Sequence, residues 1–572
     1  MAAVIPLLPQ LYLNIGGSEV PADLSQAISR IEVDLHLYLP DMFTIELHDE
    51  GFRWVEHSLL KIGQVVEVAA RPSEDEQRSP TPLLSGEVVS IEATYPESGV
   101  PTLIVRGYDL SHRLHRGRKV RSFRQMTDSD IAARIAQERG LAAEVDSTDH
   151  VHQHLYQENL SDYEFLARRA RALGFVLQVE AKKLLFRKPA TIALPPVELD
   201  YRSTLLDFRP RLTASAQVGN VNVRGWDPTE KRAIVGTAKN ADYRTSKLKF
   251  ERHGNEFAAQ AFGAAETAVS DEPVASQAEG DAFAVARISH LWSGDVHADA
   301  EAIGNPRIRA GSVVTVQGVG DRFGGDYFVT NVRHTFDASG HYRTSFTVGG
   351  YGPDTTADLL FDGAGRMEEQ ARAVTRGVVI GIVTQNQDPE DQARVKVKFP
   401  WLADDSESHW ARLASPMAGD DRGLLTIPEV NDEVLVAFEH GDFNRPYVIG
   451  ALWNGVDKPP VAASRAVDGS GVVRRIFKTR AGHVIQLDDT SGKEKIEIID
   501  KSNGNKVVID TAANKITVDA RLEVEIKGGQ KVAIKAPQVE IEGTQSVKVS
   551  GAQIESAASA RQKISGGIVE IN

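Results

Sequence analysis

The chain has no cysteine among its 572 residues. That absence removes disulfide frameworks, thiol nucleophiles and cysteine-ligated metals from consideration, and it agrees with assembly in a reducing cytoplasm. Uninterrupted apolar runs of the roughly 18 residues needed to cross a bilayer are also missing. Met1 to Leu8 lacks the basic start and cleavage site of a secretory signal, so the sequence predicts neither a membrane-spanning protein nor export by that route. Positive charge is in deficit: the formal net charge is -14. A general nucleic-acid binder needs a basic surface to meet phosphates, so only a local patch could serve that role.

What is present is strand. From Leu11 to Val120, short alternating segments such as Ile31–Leu35 and Val65–Val68 are separated by polar turns, a β-rich, barrel-like pattern. Two helices follow. The first is expected to begin near Thr127-Asp128-Ser129, with Ile131, Ala132, Ile135 and Ala136 on one side and Gly140 at its end. In the second, Ser161 and Glu164 form a capping box, Leu166, Ala170 and Leu173 a buried stripe, and Gly174 the stop. Strands resume at Phe175 and run to about Val348, with one more helical stretch near Ala282 to Leu291. Tyr351 to Arg376 shifts to Gly, Asp, Ala and charge and reads as a connector. Five short strands come next, at Val378–Thr384, Ala393–Phe399, Ala411–Ala414, Glu433–Phe438 and Tyr447–Leu452. Val395, Val397 and Phe399 face one way and Lys396 and Lys398 the other, as in a half-buried strand. Five strands in so short a stretch suit an oligonucleotide/oligosaccharide-binding (OB) barrel.

The last hundred residues carry apolar pairs spaced by two: Ile496/Ile498, Val507/Ile509, Ile516/Val518, Val524/Ile526, Val532/Ile534, Val539/Ile541 and Val547/Val549. Successive pairs advance by roughly eight residues, a coil too small to enclose a core within one chain. Three chains around one axis would close it, with Ile498, Ile509, Val518, Ile526, Ile534, Ile541 and Val549 in a shared trimer core. Glu540, Glu542, Lys535 and Lys548 are then outward, solvated positions. The pattern predicts a homotrimer and a stiff needle.

Four blocks now resemble the VgrG spike family of type VI secretion and its relatives in contractile phage tails and extracellular contractile injection systems. RVKVKFPW (Arg394–Trp401) and GLLTIPEVNDEVLVAFEHGDFNRPYVIGALWNG (Gly423–Gly455) are similar to the family's OB barrel. SDYEFLARRARALGF (Ser161–Phe175) and AGSVVTVQGVGDRFGGDYFVTNVRH (Ala310–His334) resemble the phage late-control protein D hub. The resemblance implies a mainly β chain with minor α: a hub of barrel-like subdomains at 1–352, a connector at 353–376, an OB domain at 377–456, a linker at 457–476 and a trimeric, triple-stranded β-helix needle at 477–572. The implied role is the central hub and spike of a baseplate, joining the inner tube to a membrane-piercing needle. Implied partners are baseplate components, effector cargo, a transiently pierced target membrane, and a conical tip protein with Pro-Ala-Ala-Arg (PAAR) repeats. Tip docking is assigned to about Gly551–Asn572, with Ile564, Ile568, Val569, Ile571 and Asn572 at the open end. From Val456 to Ile476, and after the repeat, no enzyme domain is expected.

Catalytic chemistry and cofactors are not expected. GxSxG, HExxH and Walker motifs are absent, and Asp488-Asp489 reads as a turn without an opposing acid. His150, His152 and His154 alternate, so a strand would place them on one face as metal ligands could be, but no Asp, Glu or Cys completes an obvious set. The glycines of GVGDRFGG (Gly318–Gly325) fit a hairpin better than a nucleotide loop. The basic run Arg113, Arg116, Arg118, Lys119, Arg121 and Arg124 is expected to meet carboxylates of a neighbouring subunit or line the hub's axis, not nucleic acid. Two other classes were weighed: a glycan-cleaving tailspike, which needs paired carboxylates in a cleft, and a receptor-binding fibre, which needs an aromatic-rich tip that Val547 to Asn572 does not supply.

Overall fold

The computed structural model describes residues 11–72, 79–189, 195–227, 230–249, 253–269, 274, 276–349, 377–402, 407–469 and 471–571. The stretch read as a connector, 353–376, and the docking residue Asn572 lie outside the described residues. The chain divides into two compact units, Met1–Asn454 and Gly455–Asn572.

The first unit is built on a 14-stranded sheet that joins the two ends of the hub. Strand Ile28–His36 pairs antiparallel with Gly325–Asp337, nearly three hundred residues away, placing Leu35 opposite Val332 and Val33 opposite His334. On one side of this seam lie Met42–His48, Thr102–Tyr108, Thr81–Thr94 and Val65–Ala70; on the other lie Tyr342–Val348, Val296–Ile303 and Leu205–Leu212. Alternation decides the faces: Ile31, Val33 and Leu35 are buried while Glu32 and Asp34 are less so, and the inward residues merge with Phe43, Ile45, Val105, Val332 and Phe346 in the largest core. The glycines of Gly318–Gly325 belong to the hairpin between Val313–Gln317 and Gly325–Asp337.

A helical insertion follows the first half of this sheet. Helix Asp128–Glu138 starts on a capping box of Thr127 and Asp130, and helix Asp162–Leu173 on one of Ser161 and Glu164. In the second, Ser161 Oγ accepts from the Glu164 amide at 3.1 Å while Glu164 Oε2 accepts from the Ser161 amide at 2.8 Å. Gly174 ends it with φ 68°, a left-handed conformation that costs glycine little. Tyr163 and Phe165 join Leu166 and Ala170 inside, whereas Leu173 is only half-buried. Other helices differ from the sequence expectation in presence or in length. Helix Gly254–Phe262 occupies a stretch with no predicted helix, and the helix expected near Ala282 to Leu291 runs from Gln277 to Ser293.

The OB region forms all five expected strands, Val379–Gln385, Lys396–Lys398, Arg412–Leu413, Glu433–Phe438 and Pro446–Ala451, in one sheet. Bridges from Val395 to Ala411 and from Lys398 to Glu407 bring the two outer strands together and close the barrel. Val383, Val395, Val397, Phe399, Val434 and Val436 fill it, and Tyr156 of the hub packs into the same core, stacked on Phe443 at 5.1 Å. Hub and barrel thus share apolar packing within one unit.

The second unit contains an antiparallel meander of Arg474–Lys478, Val484–Asp488, Lys495–Ile499, Asn505–Asp510 and Lys515–Ala520. Its first strand starts inside the stretch read as linker. Beyond Ala520 no strand or helix forms among the described residues, and the chain bends at 521–522, 529–530, 537, 544–545, 552, 559–560 and 567–568.

Candidate assembly surfaces and buried charge clusters

The meander has one uncovered apolar face. Its register sets Phe477 opposite Ile485, Ile485 opposite Ile498, Ile498 opposite Val507 and Val507 opposite Val518. A second row runs Leu487, Ile496, Ile509, Ile516. Directly opposed side chains on neighbouring strands touch, so each row is a continuous apolar ridge across the sheet. Yet every member is solvent-exposed, from 37% at Val507 to 69% at Ile516. Among the described residues nothing in the chain covers this face.

The stretch beyond Ala520 repeats the same chemistry in a smaller unit. Val524/Ile526, Val532/Ile534, Val539/Ile541 and Val547/Val549 each fall between two bends, and in all four the second member is the more exposed. From 522 to 571 no backbone group donates or accepts a hydrogen bond within the chain among the described residues. Regularly spaced apolar side chains thus stand here on backbone that finds no ladder partner within the chain among the described residues. The seven pairs therefore do not form one uniform repeat: the first three sit in a closed meander and the last four in unpaired chain. Ile564, Ile568, Val569 and Ile571 are likewise exposed.

The barrel offers a second apolar surface. The arm from Ser415 to Val430 holds a two-residue hairpin between Ala418-Gly419 and Arg422-Gly423, and Met417, Leu424, Leu425, Ile427 and Val430 on it are all exposed. This surface was not anticipated, although GLLTIPEV carries its signal: apolar residues too dense for a solvated loop.

Five of the six residues of the basic run meet carboxylates of their own chain, so pairing them requires no neighbouring subunit. Arg113 binds Glu87, Arg118 binds Glu164 and Arg124 lies 3.7 Å from Glu407. Lys119 and Arg121 converge with Arg139 on the fully buried Asp162, at 2.9, 2.9 and 2.5 Å. Burial pushes the Asp162 carboxyl up, but hydrogen bonds from Lys119, Gln157 and Arg139 outweigh it and hold the group below its ordinary value. The run is a structural brace for the helical insertion. Asp488, expected in a turn, instead ends strand Val484–Asp488 and accepts from Arg474 Nε at 3.0 Å.

The structure splits the histidine trio. His154 turns toward His409 of the barrel, ring centroids 5.9 Å apart, and burial together with the charges of His409 and Arg124 lowers it to about 4. His150 and His152 stay together at 4.6 Å. His152 Nε2 lies 2.9 Å from Asp128 Oδ2, and Arg169 Nε donates to Asp128 Oδ1 at 2.6 Å. Burial works to raise the Asp128 carboxyl, but Arg169 and His152 hold it well below the ordinary carboxylate range. The acidic partner that sequence spacing does not reveal is Glu279, brought alongside by helix Gln277–Ser293. Gly236 lets that helix approach: a Cβ there would sit 2.1 Å from the Gly280 carbonyl.

Residues 23–338 match a family model described as the Alg8 N-terminal domain, and residues 379–453 one described as the type VI secretion system/phage-baseplate injector OB domain. Among relatives, the chain is 29% identical over 119 residues to the type VI secretion system spike protein VgrG2a of Pseudomonas aeruginosa, covering 20% of this chain and 14% of that protein. It is 33% identical over 129 residues to the spike protein VgrG5 of the same organism, covering 21% and 16%. Matched stretches span less than a quarter of each such relative. The fold is similar to that of the lidded Francisella PdpA-VgrG complex, with a TM-score of 0.53 at 10% identity over 89% of this chain and 80% of that one. Since the first family model spans more than half of the sequence, the chain belongs to the Alg8 N-terminal domain family, and it carries at residues 379–453 a match to the phage-baseplate injector OB domain.

Proposed function

We propose that the chain is the central hub and spike of the baseplate of a contractile injection system, acting as a homotrimer that joins the inner tube to a membrane-piercing needle. The observation that carries this reading is the uncovered apolar face of the C-terminal unit, continued by chain whose backbone has no partner. Three copies around one axis supply both wants, an apolar interior and interchain ladders. Ile498, Ile509, Val518, Ile526, Ile534, Ile541 and Val549 then turn inward. Each such side chain gains roughly 1.5–3 kcal/mol when fully covered, and the gain from many small strands adds up along the needle. The exposed arm of the barrel supplies further apolar contact between copies.

In this reading the protein is mechanical rather than catalytic. The domain bounds follow as a hub at 1–352, an OB domain at 377–456 and a needle at 477–572, with assembly in the bacterial cytoplasm. The open end of the needle, with Ile564, Ile568, Val569, Ile571 and Asn572, binds one PAAR-repeat tip protein per trimer, because an end ring of unpaired strands and exposed apolar side chains is a surface that proteins cover. Inner tube and baseplate proteins meet the hub, and effectors travel as cargo. Removal of Ser565 to Asn572 should leave the trimer intact while co-purification of the tip protein is lost. Full-stoichiometry capture of the tip by the shortened spike would place docking elsewhere.

A further inference from the structure

The cluster at His150, His152 and Glu279 lies outside the apolar surfaces described above, and its side chains stand close enough together to form a ligand set. One donor atom from each of the three residues lies within 4.8 Å of the other two. The three come from two places far apart in the chain. His150 precedes and His152 lies within strand Val151–Leu160, whereas Glu279 stands in the first turn of helix Gln277–Ser293. His152 and Glu279 are buried and His150 is half-buried.

Each imidazole already has one nitrogen engaged by oxygen. His152 Nε2 is fixed by Asp128 Oδ2 at 2.9 Å, and His150 Nδ1 lies 3.1 Å from the Ser276 hydroxyl. This is how metal-bound histidines are held: the second ring nitrogen bonds a carboxylate or another oxygen, which sets the tautomer and leaves a lone pair for the ion. Ser276 also caps the helix that carries Glu279, accepting from the Glu279 amide at 3.2 Å, so the orienting groups of both elements are linked. Arg169 sets its Nη2 3.3 Å from His152 Nε2, a positive charge that opposes a cation, but its two nitrogens also bind Asp128, whose carboxylate offsets that charge.

We propose that His150, His152 and Glu279 bind one divalent transition-metal ion of the zinc class, tying the helical insertion to the helix Gln277–Ser293. Two imidazoles and one carboxylate suit zinc, with a fourth position left for water, whereas calcium and magnesium call for shells of oxygen. An ion here links segments more than 120 residues apart in sequence, and by binding only the folded arrangement it stabilises the hub.

The test uses the full-length chain, stripped with a chelator and titrated with zinc against a chromophoric competitor, with circular dichroism as the check on folding. The expected result is one zinc per chain, with affinity reduced at least tenfold in Glu279→Gln and in His150→Ala. Zinc should raise the melting temperature of the wild type and of neither variant, and cobalt should give visible absorption bands only in the wild type. Absence of stoichiometric uptake by the folded wild type at micromolar zinc overturns the proposal. Uptake that survives both substitutions places the metal on other histidines and overturns it equally.

Discussion

At the scale of the residue, the hub is stabilised by polar groups whose protonation is fixed by their surroundings. His334 is fully buried on strand Gly325–Asp337, with Nε2 3.1 Å from the Ile308 carbonyl and Nδ1 within hydrogen-bond distance of the Tyr342 and Thr344 hydroxyls. That arrangement satisfies a neutral ring, and burial, aided by the Arg309 charge, lowers it to about 3. In the unfolded chain the same ring takes a proton near its ordinary value of about 6.5. Unfolding therefore binds a proton throughout the window between the two values. The stability His334 contributes is full above pH 6.5 and falls as pH drops toward 3. From pH 7 to pH 4 the loss should be about 3 kcal/mol. Chemical denaturation of wild type and His334→Gln over that range should show the variant's slope flattened by that amount; parallel slopes would remove His334 as a source of acid sensitivity.

At the scale of the element, local signals were legible and distant pairings were not. Both capping boxes sit within four residues, so the starts of helices Asp128–Glu138 and Asp162–Leu173 could be read directly. Helix Gly254–Phe262 could not: its N-cap is His253, and only Gly254 and Ala258 are buried, leaving no apolar stripe to announce it. The pairing of Ile28–His36 with Gly325–Asp337 has no local signal at all. The same limit hid Glu279 and the internal partners of the basic run, since both depend on which elements meet. In the C-terminal unit, the apolar spacing alone does not reveal where turn chemistry intervenes. Asp500 accepts from the amides of Gly504 and Asn505, and Asn503 and Asn514 adopt positive φ, so Lys495–Ala520 folds back as hairpins. Past Arg521 such turns cease, and the apolar pairs remain without cover. Ile534→Asp tests the inward assignment, because it would set three carboxylates together in an apolar interior at a cost of several kcal/mol each. The assembled spike should melt at a sharply lower temperature with that change and be nearly unaltered by Glu542→Lys. Equal tolerance of both would show that the two faces are wrongly assigned.

At the scale of the whole molecule, the first unit is self-sufficient and the second is not. The hub and barrel enclose continuous cores and bind most of their buried charge within the chain. The C-terminal unit buries almost no apolar side chain, Val473 being the one among the described residues. An apolar surface of that extent on a lone chain would associate without limit, whereas a threefold arrangement closes it and leaves charged faces outward. The most direct measurement is the mass of the purified full-length chain by light scattering at micromolar concentration. With a chain of 62.4 kDa, a trimer scatters as about three times that mass, and the C-terminal unit should be resistant to proteolysis. A stable, folded, monodisperse monomer with an intact C-terminal unit would contradict the account.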